Sequence, residues 1–137
     1  MNIRPLHVGA ALLLGGIVLA AAGAGAQTAA PSGQAGFEQT CAACHQPDGK
    51  GIPGAFPALA GNAFVRGSPE AVVQTVLDGR GGMPTFRNDL NDDQIAAILT
   101  YVRSAWGNTA APVPATLVGA ARGAAKTGDS AKPLQVH

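Results

Sequence analysis

The sequence predicts an all-α fold: three main helices around a centre not made of protein side chains, with a disordered C-terminal tail. Three observations point there. Two stretches combine helix caps with a one-sided apolar stripe. No segment shows the two-residue alternation of a half-buried strand. The large apolar side chains are also too few to hold a domain of this size without a staple.

The chain opens with a leader. Residues 1–7 carry one cation, Arg4, and no acid, while residues 8–26 are all Val, Gly, Ala, Leu or Ile. Ala24-Gly25-Ala26 then precedes the polar Gln27, the layout of a secretory signal peptide cut after Ala26. An uncleaved anchor competes, but five of those 19 residues are glycine and the strongly apolar part runs only from Leu12 to Leu19. Both outcomes place the remainder outside the cytoplasm, in the periplasm. Residues 27–32 form a small polar linker, and residues 33–107 form the folded domain.

Within that domain, residues 33–43 are expected to form the first helix. A loop over residues 46–67 follows, rich in Gly and Pro, and loops of that length are normally functional or disordered. Ser68 caps the second helix, with Pro69 at its first position, Glu70 in its first turn and Gly79 at its end. Its stripe is Val72, Val73, Val76 and Leu77. Asn91 caps the third, with Gln94 completing a capping box and Leu90 and Ile95 placed as a hydrophobic staple. Ile95, Ile98, Leu99, Val102 and Trp106 then share one face, and Gly107 closes the element. Residues 108–137 are mostly Ala, Gly, Pro and Thr. With only Leu117, Val118, Leu134 and Val136 able to bury much apolar area, they read as a disordered tail, with room for a short helix over 117–125.

Charge narrows the function. The whole chain carries a formal net charge of +1, and residues 33–107 hold five basic and seven acidic side chains. No basic excess exists to neutralise a phosphate backbone, so nucleic acid is not expected as a partner.

The chemistry lies in Cys41-Ala42-Ala43-Cys44-His45. Two cysteines three apart on a helical turn face the same way and can each add to one vinyl group of a porphyrin, with the next residue placed to offer its imidazole to the iron. C-x-x-C-H is the mark of such c-type haem attachment. A disulfide would close only a tiny loop and leave the thin core unexplained. A thioredoxin-like pair expects a βαβ setting. A zinc site would lack ligands, since past the leader only His137 remains to join the three without carboxylates.

Over residues 33–107 the chain resembles class I cytochromes c, small all-α electron carriers. Gly33 and Phe37 stand eight and four positions before Cys41, as in that family, and Tyr101 resembles the aromatic residue that family members pack there. The resemblance implies that Pro57, twelve residues after His45, offers its carbonyl to the imidazole Nδ1–H, which would fix the ring and strengthen it as a ligand. It also implies a methionine opposite the histidine. Apart from Met1, only Met83 is present, in Gly79-Arg80-Gly81-Gly82-Met83-Pro84. A thioether ligand favours ferrous iron and raises the potential.

The expected site is therefore one covalent haem c, bound by Cys41 and Cys44 with His45 and Met83 as axial ligands. Candidate pocket residues are Ile52, Phe56, Leu59, Phe64, Val73, Leu77, Phe86 and Leu99, and Arg80 is the candidate partner of a haem propionate. With both iron faces occupied no substrate position remains, so the reading is a periplasmic carrier of single electrons and not an enzyme. It serves either as a free shuttle or as the cytochrome subunit of a dehydrogenase complex. Tyr101-Val102-Arg103-Ser104-Ala105-Trp106-Gly107-Asn108 resembles the end of cytochrome domains in membrane-bound alcohol and sugar-acid dehydrogenases. Partners are then redox proteins: a dehydrogenase subunit, an oxidase or another cytochrome. Contact with a membrane comes only through a partner or an uncleaved leader, and the tail, with Arg122, Lys126 and Lys132, can tether a complex. A haem sensor or peroxidase with a displaceable sixth ligand is the alternative.

Overall fold

The computed structural model describes residues 32–129. The expected signal peptide over 1–26, residues 27–31 of the linker and the tail beyond 129 lie outside the described residues. Ser32, the last residue of the expected linker, is the N-cap of α1 (Gly33–Thr40), its Oγ accepting from the Ala35 N–H at 3.2 Å. The helix expected over 33–43 is broken: Cys41, with φ −114°, ends α1, and the chain restarts as the single turn α2 (Ala42–His45). Gln46, in the left-handed region at φ 62°, then turns the chain out.

The long loop contains one further turn, α3 (Ala63–Arg66), capped by the Asn62 side chain. The next two helices follow the caps read from the sequence. α4 (Pro69–Asp78) starts at Ser68 and stops at Gly79. α5 (Asp92–Ser104) starts at a complete capping box, with Asn91 N–H to Gln94 Oε1 and Gln94 N–H to Asn91 Oδ1 both at 2.9 Å. Its apolar face is Ile95, Ile98, Leu99 and Val102, all buried. Trp106, expected on that face, lies beyond the helix end at a positive φ of 52°.

The tail departs from expectation. Among the described residues the three expected helices α1, α4 and α5 are joined by the two single turns and by a sixth helix, α6 (Ala115–Asp129), which is longer than the short helix over 117–125 and lies where most of the chain reads as disordered. Val118 is fully buried and Val113 nearly so, in one cluster with Val72, Val73, Leu77, Ile95, Ala96 and Leu99. The physical reason is that alanine orders cheaply: it loses no rotamer freedom and has the best helix propensity. Two valines then suffice to close the groove between α4 and α5. Val73, Leu77 and Leu99, candidates for lining a cofactor, lie in this cluster.

A second cluster joins α1 to α5 through Phe37, Ala42, Val65, Ile98 and Val102. The two helices cross at backbone contact. A Cβ on Gly33 would stand 2.1 Å from the Ala97 carbonyl oxygen, and one on Gly36 2.8 Å from Ile98 Cγ1. Phe37, Tyr101 and Trp106 pack with ring centroids 5.0–5.7 Å apart, which bears out Phe37 and Tyr101 as facing aromatic residues.

Arg103, four residues after Leu99, sits on the same buried side of α5 and is 2% exposed. Its Nε donates to the Ala111 carbonyl at 2.9 Å, and Nη1 donates to those of Val65 at 2.6 Å and Gly67 at 3.0 Å. It ties α3, α5 and the connection to α6 together.

Candidate functional site

The cysteines lie at a joint. Cys41 marks the break between α1 and α2, Cys44 lies within α2, and both are free thiols and half-buried. Burial, and then the neighbouring Cys44, push the Cys41 thiol up to about 11. A thiol raised in this way stays neutral near pH 7. A redox-active C-x-x-C pair needs the opposite shift, so the local electrostatics disfavour a thioredoxin-like role. Among the described residues no three His, Cys, Asp or Glu side chains are grouped to hold a metal ion, and His137 lies outside them.

His45 is fixed by the loop that follows it. Its Nδ1 lies 2.9 Å from the Pro57 carbonyl oxygen. A carbonyl can only accept, so Nδ1 carries a proton, which leaves Nε2 as the nitrogen free to face a ligand. The loop reaches this position through a close backbone approach. Gly51, at φ +64°, donates its N–H to the His45 carbonyl at 2.9 Å, and a Cβ there would lie 2.4 Å from the Phe56 carbonyl oxygen and 2.6 Å from that of Pro57. Gly49 accepts from the N–H groups of Leu59 and Ala60 at 2.7 and 2.9 Å.

Asn108 braces the same stretch from the far side. It is 1% exposed, and its Nδ2 donates to the carbonyls of Leu59 at 3.0 Å and Val102 at 2.9 Å. Sequence reasoning passed over both Asn108 and Arg103. For Arg103 the signal was its spacing of four from Leu99, and for Asn108 nothing in the local pattern distinguishes it.

Met83 lies on a tight turn after α4. Arg80 N–H donates to the Met83 carbonyl at 3.2 Å and Met83 N–H to that of Arg80 at 3.0 Å, with Gly81 at φ +60° between them. Gly79, at φ +76°, has its Cα against the Met83 carbonyl, where a Cβ would come within 2.6 Å. The following segment is tied back to α4 by Phe86 N–H to the Val76 carbonyl at 3.0 Å and by Thr85 Oγ1 to the Leu77 carbonyl.

The apolar candidates divide. Ile52, Phe56 and Phe64 are 41, 38 and 41% exposed, and Ile52 and Phe56 face each other across a tight turn. Leu59 and Phe86 are half-buried, Leu59 against the Phe37 cluster. Arg80 lies with its guanidinium carbon 5.2 Å from the Phe64 ring centroid, so the Met83 turn and α3 come together there. Large exposed apolar side chains often mark a binding surface. These residues fit a haem in kind: two free thiols and an imidazole held by a backbone carbonyl in one turn, with apolar side chains at Ile52, Phe56 and Phe64 open for a flat apolar group to cover.

An all-α frame with this set of donors and apolar side chains defines a small haem-binding protein. The chain belongs to the cytochrome c family: residues 28–102 match the family described as "Cytochrome C oxidase, cbb3-type, subunit III". Cytochrome c-552 of Thermus thermophilus is 38% identical over 113 residues, covering 71% of this chain and 69% of that protein. Cytochrome c6 of Leptolyngbya boryana is 42% identical over 69 residues, covering 48% of this chain and 80% of its own. The fructose dehydrogenase cytochrome subunit of Gluconobacter japonicus is 37% identical over 114 residues, 72% of this chain but only 24% of that subunit. Family membership makes haem c the cofactor and makes the chain an electron-carrying protein, not itself a catalyst.

Proposed function

We propose that the chain is an exported, periplasmic mono-haem cytochrome that passes single electrons between redox proteins. Cys41 and Cys44 would hold the haem by thioethers, and His45 Nε2 and Met83 Sδ would be the ligands to its iron. The observation that carries this reading is the hydrogen bond from His45 Nδ1 to the Pro57 carbonyl, within a C-x-x-C-H turn. Bound haem supplies an iron that takes up and gives back one electron.

The protein's own part is to keep the ligand geometry constant while that happens. Pro57 locks the imidazole tautomer and ring plane and raises ligand basicity. The Gly51 and Gly49 contacts hold the Pro57 carbonyl in place, and Asn108 holds Leu59 two residues further on. The Arg80–Met83 turn presents a neutral thioether, which favours the reduced state. Ile52, Phe56 and Phe64 would shield the apolar group from water. Export rests on the leader read in residues 1–26. The relatives among dehydrogenase cytochrome subunits support a dehydrogenase as one redox partner.

The test is a spectrum. Protein from a host equipped for haem attachment should give the pyridine derivative of a doubly thioether-linked haem, and a derivative with free vinyl groups would overturn the attachment. Met83→Ala should abolish the weak near-infrared charge-transfer band of a Met-ligated ferric haem and lower the potential. Rapid binding of carbon monoxide to the resting reduced protein would instead favour a sensor or peroxidase. Co-purification with a large flavin, quinoprotein or molybdenum subunit selects the complex-bound form, and a lone monomer on sizing selects the shuttle.

A further inference from the structure

The match to the cytochrome c family ends at residue 102, and α6 lies wholly beyond it. This helix does more than close a core. Arg122 projects from it onto the segment that follows Met83. Its Nε donates to Asp92 Oδ1 at 2.7 Å, Nη2 to the Leu90 carbonyl at 3.0 Å, and Nη1 to the Arg87 carbonyl. Arg87 answers in kind: its Nη1 donates to the Arg122 carbonyl at 3.2 Å, and Nη2 pairs with Asp78 at the end of α4. Each arginine therefore grips the other's backbone. Their side chains are only 20 and 21% exposed, so these bonds are less weakened by water than those of a surface pair. Gly119 lets the helix come this near, since a Cβ there would stand 2.9 Å from Asp92 Oδ2.

The geometry points to Arg122 as a positioning residue for the sixth iron ligand, acting through the backbone of residues 87–90. The inference rests on the reading above that Met83 is that ligand. Before Met83 the chain is fixed by the turn at Gly79 and by α4. After it, the Thr85 and Phe86 bonds to α4 are continued by the Arg122 fork on Arg87 and Leu90. For Met83 to leave the iron, this segment has to lift, and lifting it strips two carbonyls of a charged donor. A bidentate guanidinium is suited to the task, because one planar group reaches both carbonyls and the Asp92 carboxylate together.

The experiment uses the full-length, haem-loaded ferric protein and titrates it with imidazole, which competes for the position Met83 holds. Arg122→Gln should leave the near-infrared band in place without imidazole and raise imidazole affinity about tenfold, equivalent to about 1.4 kcal/mol. Val118→Ala on the same helix makes no bond to residues 87–90 and should leave that affinity within about twofold while lowering thermal stability. Arg122→Lys keeps a charge beside Asp92 but cannot fork, so it should behave like Arg122→Gln; wild-type affinity in Arg122→Lys would overturn the carbonyl grip. Should Arg122→Gln fail to accumulate, Asp92→Asn weakens the same grip and should raise affinity about threefold. Wild-type affinity in Arg122→Gln, with Met83→Ala raised, overturns the positioning role alone. Unchanged affinity in Met83→Ala overturns the ligand assignment, and this inference with it.

Discussion

Replacing Arg103 by Met keeps much of the side-chain length and removes every donor. Three carbonyls then lose their partner: Val65, fully buried around its bond, and Gly67 and Ala111, partly so. A buried acceptor left without a donor costs about 1–3 kcal/mol. Relief from burying a guanidinium offsets part of this, since desolvating a charge itself costs several kcal/mol. Taking the fully buried carbonyl near the upper end and the other two near the lower, a net loss of about 3 kcal/mol follows. For a domain of this size each kcal/mol lowers Tm by about 4–8 °C, giving a fall of about 12–24 °C. Urea unfolding of the haem-loaded variant beside haem-loaded wild type, followed by far-UV circular dichroism, measures it. The m-value should stay the same, because the change lies in the native state. Arg103→Lys should recover less than half, since one ammonium cannot span three carbonyls. A loss below about 1 kcal/mol in Arg103→Met would show that water satisfies these carbonyls and that the guanidinium is a bystander.

Three further outcomes are expected. Gly51→Ala places a methyl against the Phe56 and Pro57 carbonyls at a positive φ, so the His45 Nδ1 bond should break; the imidazole NH resonance of the loaded protein should shift, and an unmoved signal would refute the link. Val118→Ala empties two methyl groups from a fully buried site and should cost about 1.5–3 kcal/mol in urea unfolding, against nearly nothing if α6 were merely draped on the surface. Hydrogen bonds from Arg87 and then Gln74 hold the Asp78 carboxyl below the usual carboxylate range. Its contribution is therefore present above the unfolded pKa of about 3.9 and lost as pH falls through the lower folded value. Asp78→Asn should flatten the acid limb of the stability curve below about pH 4, and an unaltered limb would count against the Arg87 pairing.

The parts of the fold that were legible in the sequence are those decided within four residues. Ser68-Pro69, the Asn91 and Gln94 box and the stripe from Ile95 to Val102 are local signals, and the structure reproduces each. The Pro57 carbonyl at His45 followed from a family spacing, not from local chemistry, and its distance agrees. What the sequence hid depends on contacts made across the chain. An Ala-rich stretch has no pattern strong enough to announce α6, and its order comes from a groove between α4 and α5 that exists only in the folded state. Arg103 looks like any solvated cation until the carbonyls of residues 65, 67 and 111 are brought around it. The break at Cys41 is likewise set by how α1 docks, since nothing in Gln39-Thr40-Cys41-Ala42 forbids a continuous helix.

The bare crossing at Gly33 and Gly36 bears on the order of events in a nascent chain. Both glycines meet surfaces supplied by Ala97, Ile98 and Tyr101, at the far end of the domain. Alone, an eight-residue helix is too short to persist in water. Until α5 has formed, the stretch bearing the two cysteines therefore stays pliable. Docking of α5 on the two glycines then ends that freedom and fixes the start of the Cys41–His45 turn.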